Sequence, residues 1–132
     1  MQRNHKQALM SCLILLCLLS ACAGLQQQVT IEAVEGEKVL GVKASSFKFE
    51  PNNIKALRGD VITLKVENIS EAGHNFTIAD PQGKTIQSVD LPPKKTIEFK
   101  VTLSENGTYN FYCDKLFHGL FGMKGQIEVS EK

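Results

Sequence analysis

The chain has 132 residues, 22% of them charged, with a formal net charge of +1. That is a one-domain length, large enough to bury a single core without disulfides. The near-neutral balance excludes the basic footprint of nucleic-acid binding and leaves no basis for broad electrostatic steering.

The first 21 residues differ from the rest. Residues 1–6 (M-Q-R-N-H-K) are a short basic head, and residues 8–21 are a mostly apolar run. This run has the size of a signal-peptide core and is too short to span a bilayer comfortably. It ends in Leu19-Ser20-Ala21-Cys22, which resembles the bacterial lipobox. That resemblance implies cleavage before Cys22 and lipid attachment to its thiol. The expected organisation is a removed signal at 1–21, a lipid-anchored tether at 22–37 and a folded domain at 38–132. Export places the domain outside the cytoplasm, facing the periplasm or the cell surface. Loss of Arg3 and Lys6 with the signal turns the formal charge from +1 to −1.

The tether begins polar, with glutamines at 26–28, and residues 29–34 have the composition of an edge strand. Beyond it, Val39, Phe47 and Phe49 mark a first strand with inward side chains. Residues 50–53 (E-P-N-N) and 58–60 (R-G-D) are turn signals on either side of a short extended piece at 54–57. Ile62, Leu64 and Val66 alternate with Thr63 and Lys65, the period of a half-buried strand. His74, Phe76 and Ile78 alternate in the same way. Residues 80–83 turn, 85–89 can extend, and Pro92 and Pro93 rule out a central strand there. Ile97, Phe99, Val101 and Leu103 face in along the next strand. Tyr109, Phe111 and Cys113 share a face, and Ile127 and Val129 close the domain. No helical period appears outside the signal. The pattern predicts an all-β, antiparallel Greek-key sandwich of seven to eight strands.

Of the four cysteines, Cys12, Cys17 and Cys22 belong to the signal and its end, so only Cys113 remains in the domain. An exposed free thiol in an exported protein is an oxidation hazard, and metal ligation removes it. The same subtraction leaves His74, His118 and Met123 as the domain's only histidines and methionine. Cys113, His118 and Met123 are spaced C-x4-H-x4-M. A thiolate, two imidazoles and a thioether suit copper moving between its two oxidation states. Cys113 is the strong donor, His74 and His118 complete a trigonal plane, and Met123 is the weak axial ligand. Cysteine and histidine also suit zinc, but a thioether is a poor zinc donor.

The segments F-K-F-E-P, G-H-N-F and Y-N-F-Y-C-D-K-L-F-H-G-L-F-G-M-K-G resemble the cupredoxins, the blue-copper family, from about residue 39 onward. The ligand-loop spacing is most similar to the rusticyanin and sulfocyanin branch. The resemblance implies one mononuclear type 1 copper centre in a single-electron carrier, not an enzyme. It implies that Asn75 bonds across to the ligand loop and that the Gly73 carbonyl approaches the metal. It also implies that the outer edge of His118 reaches the surface through an apolar patch, here Leu116, Phe117 and Leu120. Phe76, Phe111, Phe117 and Phe121 are expected to exclude water, with Phe121 capping the core. Expected partners are redox proteins such as cytochromes or oxidases, and the membrane through Cys22, with the domain a monomer. A multicopper oxidase needs further histidines and a binuclear centre a second loop cysteine. The alternative is an extracytoplasmic protein that stores or delivers copper.

Overall fold

A computed structural model of the chain describes residues 28–30 and 38–131. The expected signal, Cys22 and most of the expected tether lie outside the described residues. Ten strands are present and no helix among the described residues. They are β1 (Gln28–Thr30), β2 (Lys38–Ser45), β3 (Lys48–Glu50), β4 (Asn53–Leu57), β5 (Val61–Asn68), β6 (His74–Ala79), β7 (Thr85–Leu91), β8 (Thr96–Thr102), β9 (Gly107–Tyr112) and β10 (Lys124–Ser130). One sheet runs β1-β4-β10-β9-β6-β7 and the other β3-β2-β5-β8. The all-β sandwich read from the alternation is therefore present.

The strands number more than seven or eight, and both sheets are mixed. β1 with β4, β4 with β10, and β2 with β5 pair in parallel. After β3 the chain crosses to the other layer for β4 and returns as β5, so β5 re-enters its sheet in the direction of β2. Side-chain alternation tells which face is buried but not which way the neighbouring strand runs. Residues 28–30, inside the expected tether, form a strand at the edge of the larger sheet.

The core lies between the layers. Leu40, Val42, Ala44, Ile62, Leu64 and Val66 come from one sheet, and Ile54, Phe76, Ile78, Tyr109, Phe111, Ile127 and Val129 from the other. Thr63, read as outward, is also buried. Two expectations for the first strand fail. Val39 is exposed because Leu40, Val42 and Ala44 set the phase of β2. Phe47 is not in a strand: it occupies the turn between β2 and β3 at φ 62°, with its ring exposed. That left-handed backbone is sterically costly for a bulky residue.

Phe49, Phe76 and Phe111 pack at the heart of the sandwich. Phe76 and Phe111 stack with centroids 4.8 Å apart, and Phe49 meets each edge-on at 4.9 and 5.7 Å. Phe76 lies two residues after His74 and Phe111 two before Cys113, so this aromatic cluster is continuous with the candidate ligands.

Gly125, paired with Phe111 across β9 and β10, leaves the space that the ring fills. A Cβ there would lie 2.3 Å from Phe111 Cζ and 2.4 Å from the Asn52 carbonyl oxygen. The oxygen belongs to the backbone and yields little. Gly125→Ala is therefore expected to cost at least about 2 kcal/mol of unfolding free energy through overpacking. Urea titration of the two proteins checks this; equal midpoints and slopes would show that the β9–β10 pair relaxes freely.

Candidate metal centre

His74 opens β6, Cys113 follows β9, and His118 and Met123 lie on the loop that leads into β10. β6 and β9 pair antiparallel, with Thr77 opposite Tyr112. Continuing that register sets Asn75 against Asp114. There the Asp114 N–H donates to Asn75 Oδ1 at 2.8 Å, the cross-link expected of Asn75. Asn75 Nδ2 donates to Thr77 Oγ1 at 3.2 Å, and Thr77 donates to Asp114 Oδ2 at 3.3 Å. The two segments that carry the candidate ligands are thus joined by their immediate neighbours.

The loop is closed at its own base. The Cys113 N–H donates to the Met123 carbonyl at 3.0 Å, and the Met123 N–H donates to the His118 carbonyl at 3.1 Å. The backbone of Met123 therefore bonds to both other loop candidates. Tight bonds from His118 N–H to the Lys115 carbonyl and from Phe121 N–H to the Phe117 carbonyl fold the loop between. At Gly119 a Cβ would lie 3.2 Å from the Cys113 carbonyl oxygen, so the loop packs closely over its own start.

These constraints bring His74, Cys113 and His118 together. One donor atom from each lies within 4.8 Å of the others. His74 Nδ1 and His118 Nδ1 are 3.0 Å apart, and Cys113 Sγ is 3.5 Å from His118 Nδ1. Two bare imidazole nitrogens at that distance need a proton or a cation between them. His74, Cys113 and Met123 are 2%, 1% and 0% exposed, while His118 is partly exposed. The His74 pKa lies below the ordinary imidazole value, chiefly through burial, and further through the nearby His118 and Lys115 charges. Burial thus favours the neutral imidazole, the form that binds metals. A buried thiol, two imidazoles and a buried thioether fit a soft or borderline ion such as copper.

The surroundings are divided. Phe76 and Phe111 are fully buried beneath the site. Leu116 and Leu120 are 78% and 81% exposed, and Phe117 is exposed too. These three side chains are exposed on one loop. The expectation that Phe117 and Phe121 exclude water as buried groups is wrong, and so is the capping role for Phe121. Phe117 has φ 67° and Phe121 is exposed, because a loop closed at its base turns its crown away from the core. Gly73 is partly buried where the loop meets β6, with open space beside it.

Two neighbours escaped the sequence reading. Phe47 meets the His118 ring edge-on at 5.2 Å and also touches Phe121 at 5.2 Å. Its position between Ser46 and Lys48 reads as ordinary strand alternation. Ser70 Oγ lies 2.9 Å from His74 Nε2, and a serine in a polar loop carries no distinguishing signal.

A family model described as the cupredoxin-like domain matches residues 8–129. Plastocyanin from Solanum crispum is 31% identical over 102 residues, which cover 71% of this chain and 99% of that protein. Chloroplastic plastocyanin from Silene latifolia subsp. alba is 30% identical over 106 residues, and the match spans 74% of this chain and 62% of that longer protein. Among solved structures, reduced auracyanin from Roseiflexus castenholzii superposes with a TM-score of 0.63 at 20% identity, covering 70% of this chain and 97% of that one. The last likeness is one of fold, and it matches the two-sheet sandwich described above. Family match, relatives and the converging donors agree: the chain belongs to the cupredoxin family.

Proposed function

We propose that this protein is an exported, membrane-anchored blue copper protein that carries single electrons between redox proteins such as cytochromes or oxidases. The convergence of His74, Cys113 and His118 within 4.8 Å carries the reading. Buried Met123, tied by its backbone to Cys113 and His118, completes the set. In this reading these four side chains hold one copper ion, which supplies a one-electron couple when bound. The chain's contribution is to keep the four donors fixed. The Asn75–Asp114 and Cys113–Met123 bonds resist movement, so little reorganisation accompanies a change of charge. The aromatic layer of Phe76 and Phe111 keeps water away from the thiolate. Within the family, the C-x4-H-x4-M spacing supports a place beside rusticyanin and sulfocyanin.

Leu19-Ser20-Ala21-Cys22 supports cleavage at 21 and lipidation of Cys22, with residues 22–37 as the tether and 38–132 as the working domain. Such an anchor holds the domain on the outer side of a bacterial membrane, as a monomer meeting its partners transiently. Storage or delivery of copper is the second reading. Exchangeable sites present open donors, whereas three of these four are buried, which favours the carrier.

The thiolate is tested by Cys113→Ser. The oxidised wild type is expected to show an intense visible thiolate-to-copper band, and the variant to lose both band and electron transfer. A variant that kept its colour would remove Cys113 from the site.

The axial role is tested by two changes at Met123. Met123→Leu is expected to keep the band and raise the reduction potential, because losing a weak donor disfavours Cu(II) more than Cu(I). Met123→Gln is expected to lower it through a harder oxygen donor. Potentiometry that finds both variants at the wild-type value would turn Met123 away from the metal.

Electron entry is tested at the loop crown. Leu120 is 81% exposed, so Leu120→Lys is expected to leave band and potential intact. A charge on a small apolar contact is expected to slow self-exchange and partner reduction at least tenfold, about 1.4 kcal/mol of barrier. Stopped-flow rates equal to wild type would place the port elsewhere.

A further inference from the structure

The segment before His74 reads Asn68-Ile69-Ser70-Glu71-Ala72-Gly73, and the side chains of Asn68 and Ser70 form a relay. Asn68 is fully buried. Its Nδ2 donates to the Ala72, Leu91 and Pro92 carbonyls at 2.8, 2.9 and 3.2 Å. Its Oδ1 accepts the Ser70 N–H at 3.0 Å. The amide orientation is therefore fixed: exchanging N and O would set an oxygen against three carbonyls and an NH2 against an N–H.

With Oδ1 so placed, the Ser70 hydroxyl has three neighbours. Asn68 Oδ1 at 2.8 Å and the Ala72 carbonyl at 2.9 Å can only accept. The third is His74 Nε2 at 2.9 Å. A hydroxyl has one hydrogen. If it went to His74, two oxygens would face the hydroxyl oxygen with no hydrogen between them. The low-energy assignment gives that hydrogen to the Asn68–Ala72 side and has Nε2–H donate to Ser70 Oγ. His74 Nδ1 is then bare, and it is the nitrogen that lies 3.0 Å from His118 Nδ1.

We propose that Ser70, oriented by Asn68, is a positioning residue that fixes His74 as its Nε2–H tautomer and aims the bare Nδ1 at the site. The tautomer claim stands on hydrogen-bond geometry alone; its consequence for copper rests on the proposed metal centre. The test uses metal-free, 15N-histidine-labelled protein at a pH where the ring is neutral. Long-range proton–nitrogen correlation is expected to show His74 protonated at Nε2 only. Ser70→Ala is expected to give a mixture of tautomers with faster Nε2–H exchange, and Ser70→Thr to restore the single form. A wild-type ring protonated at Nδ1, or a Ser70→Ala spectrum identical to wild type, would overturn the proposal. In copper-loaded protein, Ser70→Ala is expected to weaken copper affinity roughly 10- to 100-fold, with Ser70→Thr recovering most of it. Wild type that forms no coloured copper complex but shows the Nε2–H tautomer would sink the metal centre and leave the Ser70 assignment standing.

Discussion

The hydrogen bond from the Asp114 N–H to Asn75 Oδ1 joins two parts of the chain that are 39 residues apart. On one side is the strand that carries His74, on the other the loop that carries Cys113, His118 and Met123. A single bond of this kind contributes only about 1 kcal/mol net to folding. Its importance is geometric. It holds Asp114, next to Cys113, against β6 while the Cys113–Met123 bond closes the loop on itself. Two short ties thus convert an eleven-residue excursion, 113–123, into a rigid cap on the sandwich. Beneath the cap, stacked Phe76 and Phe111 supply a floor that does not depend on any bound ion.

Much of this was legible because the signals were periodic or unique. Alternation in 61–67, 74–78 and 109–113 gave the buried faces of β5, β6 and β9, and the strand-end positions of His74 and Cys113 followed from the same faces. Uniqueness singled out the candidate ligands: when a domain has one cysteine, one methionine and two histidines, each is conspicuous. What stayed hidden had no period. The parallel pairing of β2 with β5 depends on a layer crossing that no local pattern encodes. The phase of β2 was misread because Val39 and Phe47 are as apolar as Leu40 and Phe49. Both are exposed, one on the outer face of the strand and one in a left-handed turn.

The same limit explains the loop crown. Phe121 has a core-like side chain, and composition alone assigns such a residue to the interior. The backbone bonds at the loop's base decide otherwise, since they turn the crown outward. Phe47 joins it from a different strand connection, so the exposed apolar surface around His118 is built by two turns of the sandwich.

The two histidines are consequently not equivalent. His74 is buried, its far nitrogen occupied by Ser70 and its near nitrogen facing the cluster. His118 is partly exposed, with its Nδ1 inward and its ring edge met by Phe47 among exposed apolar side chains. One imidazole is locked from behind by a polar relay and the other opens outward through apolar contacts. Such an arrangement separates two requirements that conflict in a simple open site. Donors must be inaccessible to competing ligands and water, yet an outside partner must come close to one of them. A buried His74 with a buried thiol and thioether meets the first. In the proposed carrier the His118 edge would meet the second, because approach along it needs no donor to move.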